Sequence, residues 1–470
     1  MTVAIMIFLL SGCESLDNTI GSLCKHKFKN DKCIYCAVMV DKYYEFRYIE
    51  DTDSYSIVKK IIDTEADVTI PNTYKGKSVT TIDILAFQNC YNLTNVTIPD
   101  SITTIGFQAF KSCPNLTNVT IPNSVTHISD DAFSWCMNLS NIFVDENNEH
   151  YQSIDGNLYS KCGETLIQYA IGKDHTSFTM PSSVTNIHDD AFKGCYNLSN
   201  IELSNNVTTI GDYAFYDCDN LASINIPSSV TTIGDSAFSK CDKLSNIIIP
   251  NSVTYIGSAV FAYCNSLTSV IISDSITTIS YRAFQGCCNL KSIVIPNSVT
   301  SISSRAFEDC KNLTNISIGK NVTSIGALVL KGTAYYNDES NWINDSLYLG
   351  TYLMAAKDTI FGKYAIKHET TIIADYAFYD FDNLTILEIP DSVTHIGISS
   401  FWGCDNLNSI IIGDNVVYID YYAFAYCNNL TVVYYKGSEE DWNNITIIID
   451  EWVSSPLTNS TIHFNYVPEE

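Results

Sequence analysis

The sequence predicts a repeat solenoid. Three observations predict it. A short motif recurs every twenty-three residues within uninterrupted blocks. Each copy carries apolar residues at the same fixed positions. And 470 residues, 46% of them hydrophobic, are too many for one ordinary globular core yet apolar enough to fold, which a stacked array reconciles.

The repeat is seen in Ala86-Phe87-Gln-Asn-Cys90-Tyr-Asn-Leu93-Thr-Asn-Val96-Thr-Ile98-Pro99-Asp-Ser-Ile102-Thr-Thr-Ile105-Gly106. It restarts at Ala109-Phe110 and Ala132-Phe133, resumes at Ala191-Phe192, and runs without slippage to Val329-Leu330. The last units begin at Ala377-Phe378, Ser400-Phe401 and Ala423-Phe424. This gives about thirteen units, with inserts near 143–189 and 333–375.

Each element of the unit has a physical reason. Leu93-x-x-Val96-x-Ile98 has the spacing of a leucine-rich-repeat strand whose apolar side chains point inward. Pro99, lacking an amide hydrogen, ends the strand. Ile102 and Ile105 add inward residues at the corner, and Gly106 favours a tight bend. Alanine lets the backbone come close, and phenylalanine fills the centre of the coil. Stacking buries the faces that one coil alone exposes. The expectation is a parallel β-sheet on one face and irregular turn structure on the other.

Eleven of the 17 cysteines occupy one repeat position: 90, 113, 136, 195, 218, 241, 264, 287, 310, 404 and 427. A residue at a fixed place in every coil forms a column. The favoured reading is a small buried hydrophobe rather than a metal or redox ladder. Occasional disulfides between adjacent coils stay open.

The pattern AFxxCxNLTxVxIPxSVTxIG resembles the BspA-like class of leucine-rich repeats, from about Asp53 to Tyr435. Asp67 to Val79 resembles the degenerate first unit of such arrays, so 41–85 reads as an N-terminal cap and 86–435 as the repeats. Tyr151 to Ser160, followed by Thr165-Leu-Ile, resembles their hairpin-like variant unit. Tyr434 to Trp442 and Thr461 to Phe464 resemble their closing element, a C-terminal cap over 436–470, with Trp442 and Phe464 as lids. The resemblance implies a surface protein that adheres to host matrix proteins or to other microbes.

The amino terminus adds an address. Ala4 to Leu10 is an apolar run too short to span a bilayer. It ends in Leu10-Ser11-Gly12-Cys13, which resembles the bacterial lipoprotein cleavage box. On that reading 1–12 is a signal peptide and Cys13 carries the lipid, although no Lys or Arg precedes the run. A chance apolar stretch with an ordinary cysteine is the alternative. In the Cys/His segment 13–40, Cys24, His26, Cys33 and Cys36 have the types and spacing of a zinc site. Outside a cell the same cysteines can instead form a disulfide, or no bond. No other cofactor is expected.

Charge narrows the partners. With 26 basic against 52 acidic residues, net −26, the surface repels phosphates. Nucleic acid is therefore not expected, and membrane contact is expected only through a lipid anchor. There is no G-x-S-x-G, phosphate loop or dinucleotide fingerprint, and an enzyme is not expected. The outer strand position is polar in early units, at Thr97, Thr120, Glu202 and Asn225. It is apolar in three consecutive later units, at Ile248, Ile271 and Val294, and again at Ile411. Such a stripe is a candidate partner-binding surface, set against β-branched residues merely tolerated on a strand. The function expected is an extracytoplasmic, lipid-anchored binding protein or adhesin for a host or microbial surface protein. A passive structural spacer is the alternative.

Overall fold

The computed structural model describes residues 28–29, 32–33, 38–40, 42–61, 63–449 and 456–467. The chain divides into two compact units, Met1–Leu198 and Ser199–Glu470. Both are stacks of coils that present parallel strands.

In the first unit the antiparallel strands Tyr44–Ile49 and Ser54–Lys60 open the array. Ser54–Lys60 pairs in parallel with Lys77–Ile82, and that ladder continues through Thr104–Ile105 and His127–Ile128. A second ladder runs Asp67–Thr69, Asn95–Thr97, Asn118–Ile121, Asn141–Val144. Phe46 and Tyr74 stack 3.9 Å apart over the start of the core. Residues 151–168 form three antiparallel strands, Tyr151–Ile154, Asn157–Ser160 and Thr165–Gln168, the last pairing in parallel with Asn186–Ile187. In this coil Tyr169 takes the phenylalanine's place, 5.2 Å from Phe192.

The second unit repeats the scheme. One ladder pairs Asn246–Ile248 with Ser269–Ile271, and Ser292–Val294 with Asn315–Ser317. The other joins Thr209–Ile210, Thr232–Ile233 and Tyr255–Ile256. After the meander Trp342–Ile343, Ser346–Leu349, Tyr352–Ala356, five parallel strands finish the unit: Gly362–Ala365, Leu384–Ile389, Ser409–Ile412, Val432–Tyr435 and Thr461–His463. A helix at Glu439–Asn443, fixed by a capping box between Ser438 and Asp441, sets Trp442 against Tyr435 at 5.2 Å. Phe464 packs against the same core. The Thr-Ile corner pairs thus form a ladder of their own, beyond the single sheet expected.

The core is a spine of rings. Phe215, Phe238, Phe261, Phe284 and Phe307 are each at most 1% exposed and stack at 5.0, 5.5, 5.6 and 5.5 Å, within 15° of parallel. The turn that carries them is also hydrogen-bonded from coil to coil. Ser236, Phe238 and Lys240 donate their backbone N–H to the carbonyls of Ser258, Val260 and Ala262 at 2.7, 2.9 and 2.8 Å. Alternate amides reach the next coil because the residues flanking Ala-Phe are left-handed, with φ of 53° at Ser236 and 60° at Lys240. The same two places hold Leu85 and Asn89, Tyr213 and Asp217, Arg305 and Asp309 at φ between 54° and 61°. A non-glycine residue in that region costs about 1 kcal/mol. The inter-coil hydrogen bonds stand against that cost, so the turn face is more regular than expected.

Glycine serves another purpose than the bend expected of it. Gly106 has a negative φ, but an added Cβ would lie 2.9 Å from the Asp83 carbonyl carbon of the preceding coil. At Gly257 the distance to the Asp235 amide nitrogen would be 2.4 Å. Close approach between coils, not curvature, selects glycine there.

Candidate binding face

The strand face builds upward from alternation. In Asn246–Ile248 and Ser292–Val294 the middle residues, Ile247 and Ile293, enter the core, and their neighbours point out. Ile248, Ile271 and Val294 are 58%, 56% and 66% exposed. Ile248 and Ile271 are register partners, and Val294 is paired to Ser317 in the next ladder. None of the residues of the three strands is charged. Asn246, Ser269 and Ser292 sit exposed at the strand starts, and Thr268 donates its hydroxyl to the Ser245 carbonyl at 3.0 Å. The face can exclude water against a complementary surface.

Two residues differ from the sequence reading. Ile411, expected on the outer face, is buried, in register between Glu388 and Tyr434. Tyr434 stacks on His463 at 5.3 Å, so the closing strand brings the aromatic cover that the earlier units lack. In the first unit Phe143, in register with Thr120, is 47% exposed at the same repeat position. The periodicity could have found it; its place at the mouth of an insert hid it.

A family model for the BspA type leucine rich repeat region matches in six copies, over residues 66–177, 171–290, 278–338 and 356–449. The chain belongs to the BspA-type leucine-rich-repeat family. A comparison with curated proteins returns no match. Among solved structures it is similar to a leucine-rich repeat protein of Eubacterium ventriosum, at 23% identity, TM-score 0.42, covering 65% of this chain and 96% of that one. It is also similar to a leucine-rich repeat protein of Bacteroides ovatus, at 20% identity, TM-score 0.35, covering 88% of each chain. A third is a leucine rich cell surface protein of Faecalibacterium prausnitzii, at 22% identity, TM-score 0.32, covering 87% and 97%.

In this BspA-type array the cysteine column is buried and its sulfurs form no disulfide. Its thiols are donors as well as fillers. Cys241, Cys264, Cys287 and Cys310 give their S–H to the carbonyls of Phe215, Phe238, Phe261 and Phe284, at 3.0–3.2 Å. Burial pushes the Cys264 thiol up to about 12, so it stays protonated, the form that neither attacks nor ligates. Among the described residues no group of three or more His, Cys, Asp or Glu side chains gathers as a metal site. Cys13, Cys24, His26 and Cys36 lie outside the described residues; Cys33 closes the two-residue strand Lys32–Cys33. No helix among the described residues is long and apolar enough to cross a membrane.

Proposed function

We propose that this BspA-type array is a surface-exposed binding protein, an adhesin that recognises a host or microbial surface protein through its strand face. A lipid on Cys13 holds it outside the cell. The observation that carries the reading is the uncharged stripe of Ile248, Ile271 and Val294, exposed on consecutive coils where the fold does not need it. A partner touching one coil gains the same contact on the next, and buried apolar contacts away from water are where binding energy concentrates.

The test is Ile271→Glu, assayed against a panel of immobilised host and microbial surface proteins. With the side chain outside the core, stability should change by no more than about 0.5 kcal/mol. Capture of a partner that binds the wild type should fall at least about tenfold. An Ile271→Glu protein that folds and captures that partner normally overturns the strand-face reading. Anchoring is tested separately: Cys13→Ser should move the protein from the membrane to the soluble fraction, and unchanged fractionation refutes the lipid anchor.

A further inference from the structure

The three coils that begin at Ala377, Ser400 and Ala423 form a long acidic stretch: between Lys367 and Lys436 the sequence contains no lysine or arginine. Residues 374–435 hold eight carboxylates: Asp375, Asp380, Asp382, Glu388, Asp391, Asp405, Asp414 and Asp420. Cations from outside this stretch answer two of them, Lys363 at Glu388 (3.5 Å) and Lys436 at Asp391 (3.0 Å). Asp380, Asp382 and Asp405 make no ion pair with a described residue.

The same coils carry a chain of rings on their surface. Tyr376 lies 5.2 Å from Tyr379, Tyr379 stacks on Trp402 at 4.6 Å and 3°, and Trp402 lies 5.0 Å from Tyr426. The three tyrosines are exposed and Trp402 is half-buried. The position of Tyr379 and Trp402 varies, holding Tyr216, Ser239, Ala262, Gln285 and Glu308 in earlier coils of the same unit, so the fold does not require a ring there.

An open cleft of about 470 Å³ on these coils is lined by Asp382, Asn383, Thr385, Asn406, Asn408 and Asn429. The Asn406 and Asn429 amides donate to the backbone carbonyls of Asp382 and Asp405, at 2.6 and 2.7 Å. Asn428 donates to the Asp405 carboxylate at 2.7 Å. The cleft therefore presents carboxylate, amide and hydroxyl groups side by side.

Exposed rings and carboxylates without an ion pair together describe a ligand that is cationic and flat. Guanidinium is both: it stacks on aromatic rings and carries a charge, and its N–H donors match carboxylate oxygens. We propose that the coils beginning at Ala377, Ser400 and Ala423 dock an arginine-rich segment of a partner polypeptide. Its guanidinium groups lie against the exposed rings of Tyr379 and Tyr426, and its charges face Asp380, Asp382 and Asp405. This surface lies on other coils than the stripe of Ile248, Ile271 and Val294, and neither proposal depends on the other.

The test is binding of a fluorescently labelled arginine-rich peptide to the full chain at about 0.15 M salt, where distant charges are screened. The wild type should bind. Tyr379→Ala with Tyr426→Ala should weaken binding about tenfold, the loss expected for two ring–cation contacts. Asp382→Asn with Asp405→Asn should weaken it comparably, and Tyr255→Ala, an exposed tyrosine outside the patch, should change nothing. A lysine peptide of equal charge should bind more weakly. If the tyrosine and aspartate pairs bind as the wild type does, general attraction to an acidic chain explains the signal and the proposal is overturned. It is overturned equally if a neutral oligosaccharide, and not the peptide, binds these coils.

Discussion

Removing one ring from the middle of the spine tests the stacked-coil core directly. Phe238 is fully buried, with Phe215 at 5.0 Å on one side and Phe261 at 5.5 Å on the other, all nearly parallel. Phe238→Ala deletes the ring but leaves the backbone bonds that the residue makes, its N–H to Val260 at 2.9 Å and its carbonyl to the Cys264 thiol at 3.0 Å. The loss is therefore one of packing. Truncating a buried phenylalanine costs about 3–5 kcal/mol, transfer and cavity together. Each stacked pair contributes about 0.5–1.5 kcal/mol beyond its area, so two lost stacks place this site at the upper end of that range. The neighbouring rings are held by their own coils and cannot collapse into the gap. The assay is urea unfolding followed by circular dichroism, compared with Phe143→Ala, whose exposed ring should cost less than about 1 kcal/mol. A shift for Phe238→Ala below about 1 kcal/mol would refute the reasoning, since a ring so placed cannot be removed that cheaply from a rigid stack.

Two further outcomes are expected. Burial, reinforced by the charge of Asp420, pushes the Asp375 carboxyl up to about 7 from 3.8. The native state then keeps a proton that the unfolded chain has released, so stability falls as pH rises between those values, and the penalty is complete above about 7. Asp375→Asn, which keeps an acceptor for the Ile398 N–H, should raise stability by about 2–4 kcal/mol at pH ~8 and by little at pH ~4; identical pH profiles for the two proteins would count against it. Gly257→Ala should cost about 1–3 kcal/mol despite an allowed φ, because the Asp235 backbone occupies the space, and a thermal midpoint at or above the wild type's would show that the coils can part.

Residues that repeat with a period were readable in the sequence. The phenylalanine and cysteine columns lie where spacing alone places them, and the outward direction of Ile248, Ile271 and Val294 follows from alternation on a strand. What escaped depends on contacts between coils. Thr-Ile pairs such as Thr232–Ile233 are too short to show strand alternation, and their ladder exists only once coils stack. The left-handed Leu85, Tyr213 and Arg305 carry no glycine to announce them. Ile411 has the sequence signature of an outer residue, and its burial goes with its place in register between Glu388 and Tyr434. The thiol-to-carbonyl bond of the cysteine column joins residues 26 apart, beyond the reach of any local motif.

The left-handed pair in each turn has a consequence for how such arrays change. Its backbone is held by amides reaching the next coil, and side chains as different as Ser236, Arg282, Leu328 and Tyr376 occupy one place with φ between 53° and 59°. Shape there is set by the neighbours' main chain and is indifferent to what projects from it. The turn edge is thus a row of interchangeable sockets, separate from the core columns that keep the coils in step. Tyr376 and Tyr426 both stand in such sockets. A lineage can rewrite this edge one coil at a time, adding rings or charges without renegotiating the fold, and a duplicated coil arrives with its sockets already in register.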